Sequence, residues 1–261
     1  MRTLATKILF QKKMLIFWWF IGVMSLTIIT MYFFPAFKNG SLSSSLGSLP
    51  TSLQKILGDS ASWNTVGGYI TQQIFALRVP IGLSVLSVYL FSSLFTGDEK
   101  KGLLETQLSF TNGRTRVIIN KIMASVIILI LVALAAYAGV LTGLKLINYH
   151  YDYTSLAKVT LNALVLCLDF GLIAFLIGCI SGNNGLAIGL SSAYIFTSYL
   201  VSSMVSTVSY LRIPDKFSLF HYYQAQASFN TFNFIVIGSI GIFCIVVGIL
   251  FFNLRDLKTT S

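Results

Sequence analysis

The chain has 261 residues, of which 55% are hydrophobic and only 10% are charged, and its formal net charge is +10. Soluble domains carry roughly 25% charged residues, so this composition excludes an ordinary soluble protein and indicates an integral membrane protein. The basic residues sit at the ends of apolar stretches, as topology signals do, which argues against a nucleic-acid-binding surface.

The N-terminal residues 1–13 combine four basic side chains with apolar ones at helical spacing. This pattern predicts a short amphipathic helix lying in the membrane interface. The alternative is a basic flank that does no more than fix the orientation of the chain.

Six apolar stretches follow, each long enough to cross a hydrocarbon core of roughly 30 Å at about 1.5 Å per residue. The predicted spans are residues 14–34, 74–95, 122–144, 159–180, 186–208 and 234–252. They form a single transmembrane domain that covers residues 1–261, with no domain linker or internal repeat.

Two connections between the spans are long. Residues 38–72 are rich in Ser, Gly and Thr, with leucines at helical spacing. They predict a small amphipathic helix on the outer surface, or alternatively an irregular loop. Residues 217–254 carry no formal charge but are too long for one span, so short helices dipping into the outer leaflet are expected before the sixth span.

Two ionisable residues fall inside the predicted spans and are the candidates for a substrate pathway. Asp169 lies near the middle of the fourth span, where a carboxylate should face protein or water. It either lines a pathway or holds helices together. Arg78 lies near one end of the second span, where it can extend towards the interface or approach Asp169. Glycine pairs such as Gly178 with Gly182 and Gly185 with Gly189 predict close helix packing.

Residues 97–121 hold eight of the twenty-six charged residues, although they lie between two apolar spans. The segment combines an apolar side with a dense charged side, and Asn112-Gly113 is a strong turn signal. It predicts a short helix and a turn at the membrane surface, with an ordinary basic loop as the alternative. Eleven Lys and Arg residues on the side of the two termini, against seven on the other, place this segment and both termini in the cytoplasm.

The same segment resembles the type 2 permease family, the membrane subunits of ABC exporters. The residues that carry the resemblance are Glu99, Lys100, Gly102, Glu105, Arg114 and Lys121. Leu103 departs from it, because the family usually has Thr or Ser there. The basic N-terminus, the stretch L-P-T-S-L-Q-K-I-L-G, the S-L-F-H-Y-Y segment and the terminal L-R-D-L extend the resemblance over most of the chain, towards the antibiotic and drug export branch.

The resemblance implies an all-α membrane protein with six transmembrane helices, an N-terminal interfacial helix, a cytoplasmic coupling helix between the second and third spans, and short outer-leaflet helices before the sixth. It implies as partners a dimer of ABC ATPase subunits, which would bind ATP and Mg, and a second copy of this chain or a related permease in the plasma membrane. The residues implied to couple to the ATPase are Glu99, Lys100, Gly102, Leu104, Glu105, Arg114 and Lys121.

The chain itself is expected to be a transport subunit, with no cofactor, metal or catalytic residue of its own. It has no G-x-x-x-x-G-K-[ST] loop for a nucleotide phosphate, and His150 and His221 lie far apart. The expected cargo is amphipathic or hydrophobic: an antibiotic, drug, peptide or lipid. Two alternatives remain, namely a secondary transporter that uses Asp169 without an ATPase, and a membrane scaffold or intramembrane enzyme.

Overall fold

The computed structural model describes residues 4–38, 65–100, 102, 113–205, 208–223, 225 and 231–254. Helices make up nearly all of these residues, and no strand occurs among them. The predicted surface helix within residues 38–72 and most of the predicted coupling helix, including Leu104 and Glu105, lie outside the described residues.

Six of the helices are long and apolar enough to cross a membrane, which confirms the predicted number of spans. They are Lys13–Ala36, Val66–Gly97, Arg114–Leu146, Tyr153–Ser181, Asn184–Met204 and Thr231–Leu254. Five of the six extend past the predicted bounds at both ends, because a helix need not stop where the apolar residues stop. The fifth begins earlier than predicted but ends at Met204 rather than at residue 208.

Side-chain caps explain where two of these helices begin. Asp152 accepts hydrogen bonds from the backbone N–H groups of Thr154 and Ser155, and so starts the fourth span ahead of its apolar residues. Asn183 does the same for the fifth span through Gly185 and Leu186. The polar residues just outside each apolar stretch therefore become the first turn of the helix.

The fourth span is the centre of the bundle, and it packs against the second, sixth and fifth spans. The third span packs mainly against the first. The second and fourth spans are accordingly well buried, whereas the first, fifth and sixth each present a broad apolar surface to the outside. These exposed apolar faces are expected of helices that contact lipid.

Small residues allow the closest helix contacts. Gly139 and Gly143 bring the third span against the first, and a methyl group at Gly143 would lie 2.5 Å from Cβ of Met31. Gly178 packs on Thr96 and Ala187, as predicted. Gly189 does not make the predicted close contact within the described chain, because nothing lies within 4 Å of a Cβ built on it. Gly182 ends the fourth span with φ of 62°.

The helices alternate in direction, so that the start of the first span, the end of the second and the start of the third share one end of the bundle. We call this the N-terminal end. The helix Leu4–Gln11 lies there, with Ala5 and Ile8 buried and packed against the third span. Lys12 Nζ reaches Ser93 Oγ of the second span at 3.3 Å.

The opposite end holds two short helices, Arg212–Asp215 and Leu219–Tyr222, in the connection before the sixth span. We call residues 208–223 the hairpin. Ser218 donates a hydrogen bond to the backbone carbonyl of Ser198 at 3.0 Å, which fixes the hairpin to the fifth span. One of the two short helices, Leu219–Tyr222, falls in the stretch where the sequence predicts short helices, and their place in the outer leaflet stays a prediction.

The second span is irregular, with π-helical turns at Ile70–Arg78 and Ser93–Gly97. Pro80 follows the first of these turns, and proline has no N–H to offer the carbonyl groups of the preceding turn. The phenol of Tyr223 in the hairpin supplies a donor instead, at 2.7 Å from the carbonyl oxygen of Phe75. Distortions of this kind are frequent at functional sites in helices.

Candidate functional site: a buried ion pair beneath the charged segment

The two ends of the charged segment 97–121 are joined by a buried ion pair. Lys121 is fully buried, and its Nζ lies 2.8 Å from Oδ2 of Asp98. The ammonium group also donates to the backbone carbonyl of Leu94 and lies 5.7 Å from the ring centroid of Phe95. We call Leu94, Phe95, Asp98 and Lys121 the interhelical joint, because it fastens the second span to the third.

The local fold explains how these groups meet. Leu94 and Phe95 lie in the second π-helical turn, and Asp98 begins the short helix Asp98–Lys100 that continues it. Lys121 is two turns inside the third span, on the face that packs against the second. An ammonium group buried among apolar side chains requires a close counter-charge and further acceptors, and the joint supplies both.

Two glycines bracket the remainder of the charged segment. Gly102 has φ of 69°, and its N–H bonds to the carbonyl of Glu99 at 3.0 Å, so the helix that extends the second span ends there. Gly113 has φ of 109° and directly precedes the third span, in agreement with the predicted turn at Asn112-Gly113. Residues 103–112 thus connect two helix ends that the joint holds together.

The sequence predicts seven residues for coupling, and the structure places the described ones in different surroundings. Lys121 is enclosed by its own chain, so it can act on a partner only through the helices that it joins. Glu99 is buried, with 7% of its surface exposed. Arg114 is half-buried, and its guanidinium group lies 3.4 Å from the carbonyl oxygen of Asn253 at the end of the sixth span. The side chain of Lys100 lies outside the described residues.

Asp169 lies inside the bundle and is 3% exposed. It faces Gly241 of the sixth span, where an added methyl group would lie 2.5 Å from Oδ1 of Asp169. Its Oδ2 makes no hydrogen bond with the described part of the chain. The suggested pairing with Arg78 is absent from the described ion pairs, and the Arg78 side chain instead donates to the carbonyl of Gln73 in its own helix.

Sequence reasoning missed the polar groups of the hairpin. Asp215 is buried and its Oδ2 lies 2.5 Å from Nδ1 of His221. Tyr194 donates to the carbonyl of Phe217 at 2.7 Å. The break in the apolar pattern around residues 212–216 was the available signal, but a sequence does not show that the segment folds back onto the fifth span.

The connection between the third and fourth spans borders a cavity of about 770 Å³ at the opposite end, lined by Tyr149, Tyr151 and Lys145 among others. Burial raises the pKa of Tyr151, and the nearby Asp152 carboxylate adds to this. Lys38 Nζ contacts the hydroxyl group of Tyr149 at 2.8 Å and so ties the first span to this connection.

No cluster of three or more His, Cys, Asp or Glu residues that could hold a metal ion occurs among residues 4–38, 65–100, 113–205 and the other described positions. No protein-family model, curated protein or solved structure matches this chain.

Proposed function

We propose that this chain is the permease subunit of an ATP-driven exporter of the type 2 ABC permease family. It moves an amphipathic or hydrophobic substrate out of the cell and is energised by a separate ATPase subunit. The observation that carries the proposal is the interhelical joint beneath a charged segment whose residues resemble those of the family.

Such a function requires the second and third spans to move together when a partner binds the charged segment, and the joint connects these two spans. A force applied to residues 103–112 reaches the membrane only if the helices on either side do not slide past each other. The buried contact between Asp98 and Lys121 opposes such sliding. The second span continues from the joint into the centre of the bundle, where it packs on the fourth span.

The energy of ATP enters through the partner. The spans are proposed to adopt two arrangements, and the ATPase dimer would bind the charged segment and close on nucleotide in only one of them. Because the complex then binds nucleotide more tightly in that arrangement, ATP binding shifts the spans towards it. A second permease subunit, either another copy of this chain or a relative, would complete the pathway.

The test is co-purification of the tagged chain with an ATPase that carries a phosphate-binding loop, followed by measurement of ATP hydrolysis and substrate efflux in liposomes. We expect Arg114→Glu to uncouple hydrolysis from transport, since it reverses a charge at the end of the segment. Lys145→Glu, a charge reversal at the opposite end of the bundle, is the control and should leave coupling unchanged. Transport by the chain alone, driven by a proton gradient, would refute the proposal.

One observation favours a second candidate, a secondary transporter. Asp169 is a buried carboxyl group with an oxygen that has no hydrogen-bond partner in the described structure, and proton-coupled transporters use such groups. Replacing Asp169 with Asn keeps the shape of the side chain and removes the proton. Under the second candidate, Asp169→Asn abolishes transport by the chain alone, whereas an ATP-driven exporter that uses Asp169 only structurally retains its activity.

A further inference from the structure

A groove on the bundle surface contains an arginine that belongs to a membrane-crossing helix. It lies between the first and second spans, has a volume of about 370 Å³, and is lined by residues that include Trp18, Trp19, Gly22, Val23, Arg78 and Gly82. This volume is within the range of roughly 300–1,000 Å³ that is typical of small-molecule sites.

The depth of Arg78 follows from its neighbours. Val23 lies near the middle of the first span, Lys13–Ala36, and lines the same groove as Arg78. Within the second span, Arg78 is a third of the way along a helix of 32 residues. The Arg78 side chain is exposed on the bundle surface, and its guanidinium group points back towards the start of the second span, where it donates to the carbonyl of Gln73. A charge within a membrane-crossing helix is expensive unless a counter-charge or water reaches it.

The described chain offers Arg78 no carboxylate. Its side chain bonds to the carbonyl of Gln73, which is a neutral acceptor and leaves most of the guanidinium donors unused. The described acidic residues are engaged or lie elsewhere: Asp98 at the joint, Glu99 beside it, Asp152 at the start of the fourth span, Asp169 against Gly241, and Asp215 against His221.

The described part of a second copy would bring no complementary charge to this groove either. The only described carboxyl group at mid-depth is Asp169, which is buried within its own bundle. None of the described carboxyl groups therefore serves as a counter-ion for Arg78. An anionic molecule that enters from the bilayer would supply one.

We propose that the groove binds an amphiphile with one anionic head group, a carboxylate or a phosphate, and a hydrocarbon tail. The planar guanidinium fork of Arg78 can donate two parallel hydrogen bonds to the oxygens of either head group. The rings of Trp18 and Trp19 provide apolar surface for the tail. A Cβ built on Gly22 or on Gly82 would meet nothing within 4 Å, so these glycines keep the groove open.

The class of cargo that this implies, an anionic amphiphile, rests on the export function proposed above. Binding itself does not depend on that function, because the groove is formed by one chain. The two statements can therefore be tested separately.

Quenching of tryptophan fluorescence tests the binding, because two of the three tryptophans of the chain line the groove. The purified chain is placed in phosphatidylcholine nanodiscs and titrated with dibromostearic acid, with dibromostearyl alcohol as the neutral match. We expect saturable quenching by the acid, reversed by oleic acid and by dioleoylphosphatidic acid, and no saturable quenching by the alcohol.

Variants locate the site. Arg78→Gln should weaken the apparent affinity for the acid at least about tenfold, since a charge-assisted hydrogen bond is lost, and Arg78→Lys should restore part of it. Lys158→Gln, which removes an exposed cation from the fourth span, is the matched control and should have no effect. Equal binding of acid and alcohol, or undiminished affinity in Arg78→Gln, would overturn the proposal.

A steric variant covers the case in which Arg78→Gln does not fold. Gly82→Phe fills the groove and should abolish saturable quenching, whereas Gly189→Phe, at an equally open glycine of the fifth span, should not. Saturable quenching that survives Gly82→Phe would place the ligand elsewhere and refute the proposal.

A final measurement separates cargo from resident lipid. In liposomes that contain the chain and its ATPase, oleic acid should stimulate ATP hydrolysis in the wild type and not in Arg78→Gln. Binding without stimulation overturns the assignment of the amphiphile as cargo and leaves the binding site intact. Failure to find any ATPase partner counts against the proposed function and leaves the quenching result unaffected.

Discussion

Two carboxyl groups of this chain, Asp98 partly buried and Asp169 buried, have opposite surroundings. Asp98, at the N-terminal end, lies 2.8 Å from the ammonium group of Lys121. Asp169, in the middle of the bundle, faces a glycine and has an oxygen without a hydrogen-bond partner among the described residues. The first group is paired in a way that holds two helices together, whereas the second is enclosed and has one oxygen that no described group bonds.

The difference separates structural from functional uses of a buried charge. A buried ion pair is strongly destabilised when one partner is removed, so the joint should be sensitive to mutation and insensitive to ligands. An unpaired buried carboxyl group costs stability and is expected where an activity requires it. We therefore expect substitutions at the joint to lower stability and, with it, the coupling proposed above. A substitution of Asp169 that keeps the shape of the side chain should change stability little, so its effect on transport tests the second candidate function.

The largest effect is expected at Lys121. Lys121→Met keeps the length of the side chain but removes the ammonium group that pairs with Asp98, and should lower the free energy of unfolding by about 3–5 kcal/mol. Thermal unfolding in detergent would measure this. Arg116→Met, an exposed cation one turn earlier in the same helix, is the control and should change stability by less than about 0.5 kcal/mol.

The double variant Asp98→Leu with Lys121→Met sharpens this prediction. Replacing both members of a buried pair with apolar groups often restores stability, so the double variant should be more stable than Lys121→Met alone. A double variant that is the less stable of the two would show that the loss comes from packing around Lys121 and not from the unpaired carboxylate.

A smaller effect is expected at the contact with Asp169. Gly241→Leu forces a side chain into the space that the carboxyl group occupies and should cost about 1–3 kcal/mol through overpacking. Gly238→Leu, one turn away on an open face of the same helix, should be close to neutral. Equal loss in both variants, measured by thermal unfolding, would mean that the sixth span does not pack on Asp169.

The smallest effect is expected at a third carboxyl group, Asp152, which is exposed. Hydrogen bonds from the hydroxyl groups of Thr154 and Ser155, and from their backbone N–H groups, lower the pKa of Asp152 below its usual range. A lowered pKa stabilises the folded state above the unfolded pKa of about 4, and this stabilisation is lost as the pH falls towards the folded value.

Unfolding temperatures between pH 6 and pH 3 would test this. The difference between the wild type and Asp152→Ala should be largest at pH 6 and should shrink as the pH approaches 3. A difference that stays constant over this interval would mean that the cap acts without its charge. Asp152 would then contribute by hydrogen-bond geometry alone.

The six spans were predictable because the hydrocarbon core sets their minimum length, and apolar runs of that length have few other uses. Their ends were not, since capping residues such as Asp152 and Asn183 extend a helix beyond its apolar part. The pattern of charges singled out residues 97–121, and the two ends of this segment meet at the interhelical joint. It could not show that Lys121 turns inwards, because a lysine at the start of a span usually marks the membrane surface.

The sequence also did not show which helices pack against each other. Glycine spacing alone does not say which face meets a neighbour: Gly178 packs closely, whereas Gly189 does not. The sequence identified Asp169 as an ionisable residue inside a span. Its position against Gly241 depends on how the fourth and sixth spans pack. Contacts of this kind are set by packing across many residues and not by a local pattern.

The two π-helical turns of the second span are each fastened by a side chain from another part of the fold. The carbonyl of Phe75 accepts from Tyr223, which is 148 residues away, and the carbonyl of Leu94 accepts from Lys121, which is 27 residues away. One bond lies at each end of the bundle, so the second span is tied on both sides of the membrane. A rotation or shift of this helix at the N-terminal end must displace the hairpin at the opposite end or break the bond from Tyr223. A single helix thereby links the two aqueous faces of the protein.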